Sequence, residues 1–213
     1  MVSLSVMAGA AFAKVNYMGD VQLHLGVGID ATNIKITDDM EQKAASAAFD
    51  IDVASWNLFG LNDMLGVGFM VGLGGGFGGC TKTTAESGGF SYENTDPNTS
   101  AFSFRGLVGP AVGINVGEIV RVNVALGLSF GVVSLVNKDD SDFADTMGGV
   151  GFGAEAQAKL FPKKRFSPVA GYRFAFIGSD KYTSKNGSDE VDIDVDSAMH
   201  FNNEIYVGAA FNF

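Results

Sequence analysis

The sequence predicts an all-β fold, an eight-stranded antiparallel up-and-down transmembrane β-barrel, on three observations. Eight stretches alternate apolar with small or polar residues at period two, the pattern of strands with one lipid-facing and one lumen-facing side. The apolar faces carry no ionised side chain in any of the eight, whereas a soluble up-and-down barrel, the nearest rival, would place its charges outside. No run of roughly 18 apolar residues exists, so no α-helix here spans a bilayer. A closed barrel is then the remaining way to satisfy every backbone polar group in hydrocarbon. Composition agrees: 18% of residues are charged, against about a quarter in soluble domains.

The first strand, Asp20–Ile29, sets Val21, Leu23, Leu25, Val27 and Ile29 against Gln22, His24, Gly26 and Gly28. The second, near Ala47–Trp56, sets Phe49, Ile51 and Val53 against Asp50 and Asp52. Leu65–Gly74 opposes Leu65, Val67, Phe69, Val71 and Leu73 to glycines and Met70. Ala101–Ile114 places Phe102, Phe104, Val108 and Val112 opposite Ser103, Arg105, Gly109 and Gly113. The fifth is the cleanest, with every second residue from Val120 to Val132 apolar and Arg121, Asn123, Gly127 and Ser129 between. Val150–Leu160 puts Glu155, Gln157 and Lys159 on the polar side, and Val169–Ile177 puts Arg173 there. The eighth starts at or before Ala198 and ends in Ile205, Val207, Ala209, Phe211 and Phe213 on one face. Asn203 falls on the lipid face of that strand, tolerable near an interface.

Connections alternate in length. Asn57–Asp63, the residues around Gly117-Glu118, and Pro162–Pro168 are short, whereas Ala31–Ala45, Gly75–Ser100, Ser134–Met147 and Gly178–Ser197 are long. Short turns belong to the periplasm and long loops to the outside, which puts both termini in the periplasm. Residues 1–13 read as a signal peptide: Leu4–Ala13 is small and apolar, and Ala11-Phe12-Ala13 has the A-x-A form cleaved on export. Its basic start is missing, as in a truncated peptide, and a short buried strand is the alternative. Residues 14–213 form the barrel domain.

The four long loops hold seventeen acids against six lysines, so the net charge of −10 belongs to the outer surface. Nucleic acid is excluded as a partner, because phosphate binding wants a basic patch. Within the lumen the ionised residues are Asp50, Asp52, Glu155 and Glu204 against Arg105, Arg121, Lys159 and Arg173. An eight-stranded barrel has room only for side chains, and unpaired buried charge is costly, so these should pair into a structural plug. The alternative is a narrow aqueous or ligand-sized cavity, favoured by lumen glycines at 66, 68, 72, 74, 127, 131, 151 and 153.

Other motifs carry little. Gly72–Gly79 lacks the Lys-Ser/Thr of a phosphate loop and continues a strand. Asp192, Asp194 and Asp196 resemble a calcium ladder without the required glycine, leaving a weak cation site. Their alternation runs in phase with His200, Asn202 and Glu204, and Asn186-Gly187 supplies a type I′ turn for a protruding hairpin. His24 and His200 sit at different depths, neither with a same-face serine two residues away, so no hydrolase pair or His-rich metal site is predicted. Cys80, the only cysteine, can form no intrachain disulfide. No enzyme activity and no cofactor are expected.

With the eight strands and terminal Phe211-Asn212-Phe213 placed, the chain resembles the small outer-membrane proteins of the OmpA, OmpX and OmpW type. That resemblance implies residence among outer-membrane lipids and insertion by the barrel assembly machinery, which reads the last strand through Phe211 and Phe213. It also implies a function, porin-like, OmpW-like passage of small hydrophobic solutes across the outer membrane, with a surface adhesin of host molecules or a structural surface protein acting through the acidic loops as the alternative. No position-specific functional motif is matched.

Overall fold

The computed structural model describes residues 16–95, 98–138, 143–187 and 189–213; the expected signal peptide over 1–13 lies outside them. Nine strands follow in order: β1 (Asn16–Thr37), β2 (Met40–Gly60), β3 (Leu65–Ser87), β4 (Phe90–Asn94), β5 (Thr99–Val116), β6 (Val120–Asn137), β7 (Phe143–Leu160), β8 (Phe166–Asn186) and β9 (Asp189–Asn212). Neighbours pair antiparallel from β2 through β1, β9, β8, β7, β6 and β5 to β3, and β3 pairs back to β2. The ring is therefore closed by eight strands, with β1 and β9 adjacent as an up-and-down barrel requires. The short β4 adds to the C-terminal end of β3.

The strands are longer than the period alone suggested. The eight strands of the ring run from 18 residues in β5 to 24 in β9, where a bilayer needs about 9–11. The expected loops Ala31–Ala45 and Gly178–Ser197 are largely β-hairpin: Thr37 pairs with Met40 and Asn186 with Asp189. Beyond the membrane both faces of a strand meet water, so alternation fades from the sequence while the hydrogen-bond ladder continues. The β8–β9 turn also falls one residue later than expected. Gly187, at φ 65°, is its first central residue. Between β3 and β4, Gly88 and Gly89 at φ 55° and 84° make the left-handed pair a type I′ turn demands.

The predicted faces are as assigned. Val27, Ile29, Leu128 and Ile205 are 65%, 67%, 69% and 67% exposed on the outside. Inside, an apolar layer of Ala54, Trp56, Leu58, Met70, Leu107, Ala111 and Ala125 fills the end nearer the chain termini. A second, Ile34, Val133, Met147, Tyr182, Val195 and Ala198, fills the far end. Most of the charged residues lie between, as chain positions show: Asp52 is two residues above Ala54 on β2, and Asp30 four below Ile34 on β1. Cys80 is buried in β3 beside Ala44, Ala101 and Leu135.

A seam in the hydrogen-bond ladder lies at Pro110 in mid-β5: Val108↔Leu128 and Ala111↔Ala125 keep one register, but the pairs of Gly109 and Pro110 between them are missing. Proline has no N–H to give the ladder there.

Candidate functional site

Six of the eight predicted lumen charges meet in one layer across the barrel. On one arc Asp52 of β2 is opposite Gly74 of β3, which is opposite Arg105 of β5. On the other, Glu155 of β7 is opposite Arg173 of β8, which is opposite Glu204 of β9. Each residue points inward by strand parity. The arcs then join across the axis. Arg105 Nη1 donates to Asp50 Oδ1 at 2.8 Å and Nη2 to Glu204 Oε2 at 2.7 Å. Arg173 Nε donates to Glu155 Oε2 at 2.8 Å, while its Nη1 pairs with Asp52 Oδ1. Tyr206 Oη donates to the other oxygen of Glu155 at 2.7 Å. All six charged groups are 3% exposed or less.

Glycines make this layer possible by giving carboxylates their space. A Cβ on Gly26 would stand 2.7 Å from Glu204 Cγ, one on Gly76 would stand 2.8 Å from Ser103 Oγ and overlap Asp50, and one on Gly74 would overlap Asp52. Others seat apolar chains. Ile177 lies over Gly131, Leu107 over Gly153 and Met18 over Gly66. The glycine-lined cavity weighed from the sequence is thus filled at these positions, because the bulk removed from one strand is supplied by a strand one or two places away.

The remaining two predicted charges stand apart. Lys159 pairs with Asp20 and donates to Asn212 Oδ1 at 2.9 Å. Arg121 donates from Nε to Asn115 Oδ1 and from Nη2 to Met18 Sδ, both at 2.8 Å. Sequence reasoning missed Asp20 and Asp30 as lumen groups. Asp30, between the first predicted strand and the loop after it, is 3% exposed and accepts from Asn202 Nδ2 at 2.6 Å. Both share the even-numbered parity of Gln22 and His24, the signal that could have placed them. With them the lumen holds six acids and four bases among the described residues, correcting the expected balance.

His24 stacks on Tyr206 at 4.1 Å between ring centroids and contacts Gln22. His200 contacts Thr32 Oγ1 at 3.0 Å. Neither histidine shares a site with the other. Asp192, Asp194 and Asp196 face outward, out of phase with His200. A register shift between Ser179 and Lys181 changes the parity, turning Val195 inward in their place. Each acid has a separate neighbour: Thr183 for Asp192, Lys181 at 3.7 Å for Asp194 and Lys35 at 3.6 Å for Asp196. Among the described residues, no group of three or more His, Cys, Asp or Glu could hold a metal ion. Phe211 packs edge-on against Phe166 at 5.3 Å with Arg165 over its ring, and Phe213 is exposed beside Tyr17.

No family model matches the chain, and no curated protein matches its sequence. Solved structures do. The outer membrane protein OprG from Pseudomonas aeruginosa is 10% identical, over 93% of this chain and 97% of that one, with a TM-score of 0.54. Neisserial surface protein A is 14% identical over 89% and 97%, at 0.47. Ail, the attachment invasion locus protein of Yersinia pestis, is 13% identical over 92% and 99%, at 0.43. At such identities the likeness extends to architecture alone, and OprG carries it. The chain has the fold of the small eight-stranded outer-membrane β-barrel proteins.

Proposed function

We propose that the protein is a non-enzymatic outer-membrane surface barrel, acting through the β-hairpins it raises above the membrane, with both termini in the periplasm. The observation that carries this reading is the overshoot of the strands at one end. On β1 the exposed apolar run stops at Ile29 but the strand continues to Thr37, and on β9 residues 189–200 lie beyond the apolar stretch. Strands of this length tilted in a barrel stand about 50 Å tall, roughly twice the apolar band. The ionic layer supports the same view, since a sealed axis serves stability better than flow. In this reading, lipids surround the wall, the barrel assembly machinery reads Phe211 and Phe213, and the acidic tips meet molecules at a host surface. Replacing residues 181–194 by a two-residue turn should abolish cell or matrix binding while the barrel keeps its heat-modifiable migration. Unchanged binding would overturn the reading.

A second reading, passage of small apolar solutes, is favoured by the Pro110 seam. Leu107, Ala111 and Ala125 of the inner apolar layer lie directly behind it, so a solute would leave through the wall and not along the axis. Uptake into proteoliposomes that falls when Pro110→Val restores the missing amide supports this reading; uptake insensitive to that change counts against it.

A further inference from the structure

We propose that the barrel end nearest the chain termini is a binding site for a phosphate-bearing anion, held by the buried guanidinium of Arg121. A cavity of about 920 Å³ opens there, with Met18, Asn115, Arg121 and Asn212 among its lining residues. Arg121 is 6% exposed. Its hydrogen-bond acceptors are an amide oxygen and a thioether, both neutral, and Asp20, the acid near enough to attract it through space, is bonded to Lys159. Every other lumen cation has a carboxylate: Arg105 has Asp50, Arg173 has Glu155 and Lys159 has Asp20. Among the described residues Arg121 alone lacks one.

A buried guanidinium with no carboxylate bonded to it is costly, and a ligand that brings the charge recovers part of that cost. The surrounding charges point the same way. Lys163, Lys164 and Arg165 also line the cavity, against Asp63 and Glu118. Glu118 is taken by Lys163 at 3.1 Å, which leaves Asp63 against Arg121, Lys164 and Arg165. Asn115 anchors the site: it donates to the Asp63 backbone carbonyl at 2.8 Å while its oxygen holds Arg121 Nε. This directs the remaining guanidinium N–H groups to a planar or tetrahedral oxyanion, for which arginine is the better cation. The shared chemistry is a phosphate group. It could come on a soluble metabolite or on the headgroup of an inner-leaflet lipid, whose acyl part would meet Met64 and Phe213 at the same cavity. Exposure of this end to the periplasm rests on the orientation proposed above; binding itself does not.

Titration calorimetry of the full chain in maltoside micelles, which carry no phosphate, tests the site with glycerol phosphate and with dihexanoylphosphatidylglycerol. Arg121→Gln should weaken binding by about tenfold or more, as expected for loss of a charge-assisted pair. Arg121→Lys should recover part of that loss, and Lys181→Gln at the opposite end should leave affinity unchanged. Should Arg121→Gln fail to fold, Lys164→Gln provides the second arm and should weaken binding severalfold. Equal affinity for both probes assigns a soluble ligand, and affinity for the lipid alone assigns a headgroup; either supports the site. Absence of binding by both probes, or affinities indifferent to Arg121 and Lys164, overturns it. Trimming the far hairpin leaves this binding intact, so the result stands apart from the surface-binding test.

Discussion

A methyl group at position 74 has nowhere to go. Built on Gly74, it would stand 3.0 Å from Asp52 Cβ and overlap the Asp52 carboxylate. Rotating Asp52 about its own bonds cannot relieve a clash that already includes its Cβ. The carboxylate must swing away from Arg173 and from Arg105 Nη2, to which it lies at 3.5 Å. Breaking one member out of a buried ionic group costs about 3–5 kcal/mol. Because a displaced Asp52 keeps some of its field on both arginines, about 3 kcal/mol is expected for Gly74→Ala. Gly79→Ala is the control: the nearest atom to its new Cβ is Lys138 Nζ at 3.7 Å, so it should be neutral or stabilise by up to about 1 kcal/mol through the unfolded state. Urea unfolding in lipid vesicles reads both, with the single tryptophan, Trp56, fully buried just below the layer as reporter. Combining Gly74→Ala with Asp52→Ala should cost little more than Asp52→Ala alone, since the two share one contact. If Gly74→Ala unfolds within about 0.5 kcal/mol of the parent, the glycines are not what admits the ionic layer.

Other perturbations have equally definite outcomes. On the lipid face Tyr172 Oη donates to Asn203 Oδ1 at 2.6 Å, which satisfies part of the residue that looked misplaced in the sequence. Tyr172→Phe should destabilise by about 1 kcal/mol in the same unfolding assay, whereas the double change with Asn203→Val should be close to neutral; equal losses for both would refute the pairing. At the β1–β2 tip, the Lys35 ammonium beside Asp38 holds that carboxyl below the usual aspartate range and is itself raised. The Asp38 share of tip stability is therefore present above the ordinary aspartate value and lost as pH falls through the lowered one. Carboxyl chemical shifts should show the Asp38 midpoint rise in Lys35→Met, and an unmoved midpoint would deny the contact.

Fold and facing were legible in the residues because both follow from local rules. Period two assigns every side chain to lipid or lumen, and ionised groups missing from one face identify it as the outer one. Eight of the ten lumen charges were legible for the same reason, and Asp20 and Asp30 were not. Tertiary structure alone decided how they combine. Arg105 reaches Asp50 and Glu204 from a strand adjacent to neither, a relation set by barrel closure and stagger that no spacing along the chain encodes. Glycine 74 could mean a hole or a seat, and only the neighbouring strand's Asp52 shows that it is a seat. The acidic run from Asp192 to Asp196 kept perfect alternation yet faces outward, because a bulge in its pairing with β8 reverses parity. Arg121 looked like one more member of a balanced set. It has no carboxylate bonded to it because Asp20, near enough to attract it, is turned onto Lys159, which the last strand also holds through Asn212.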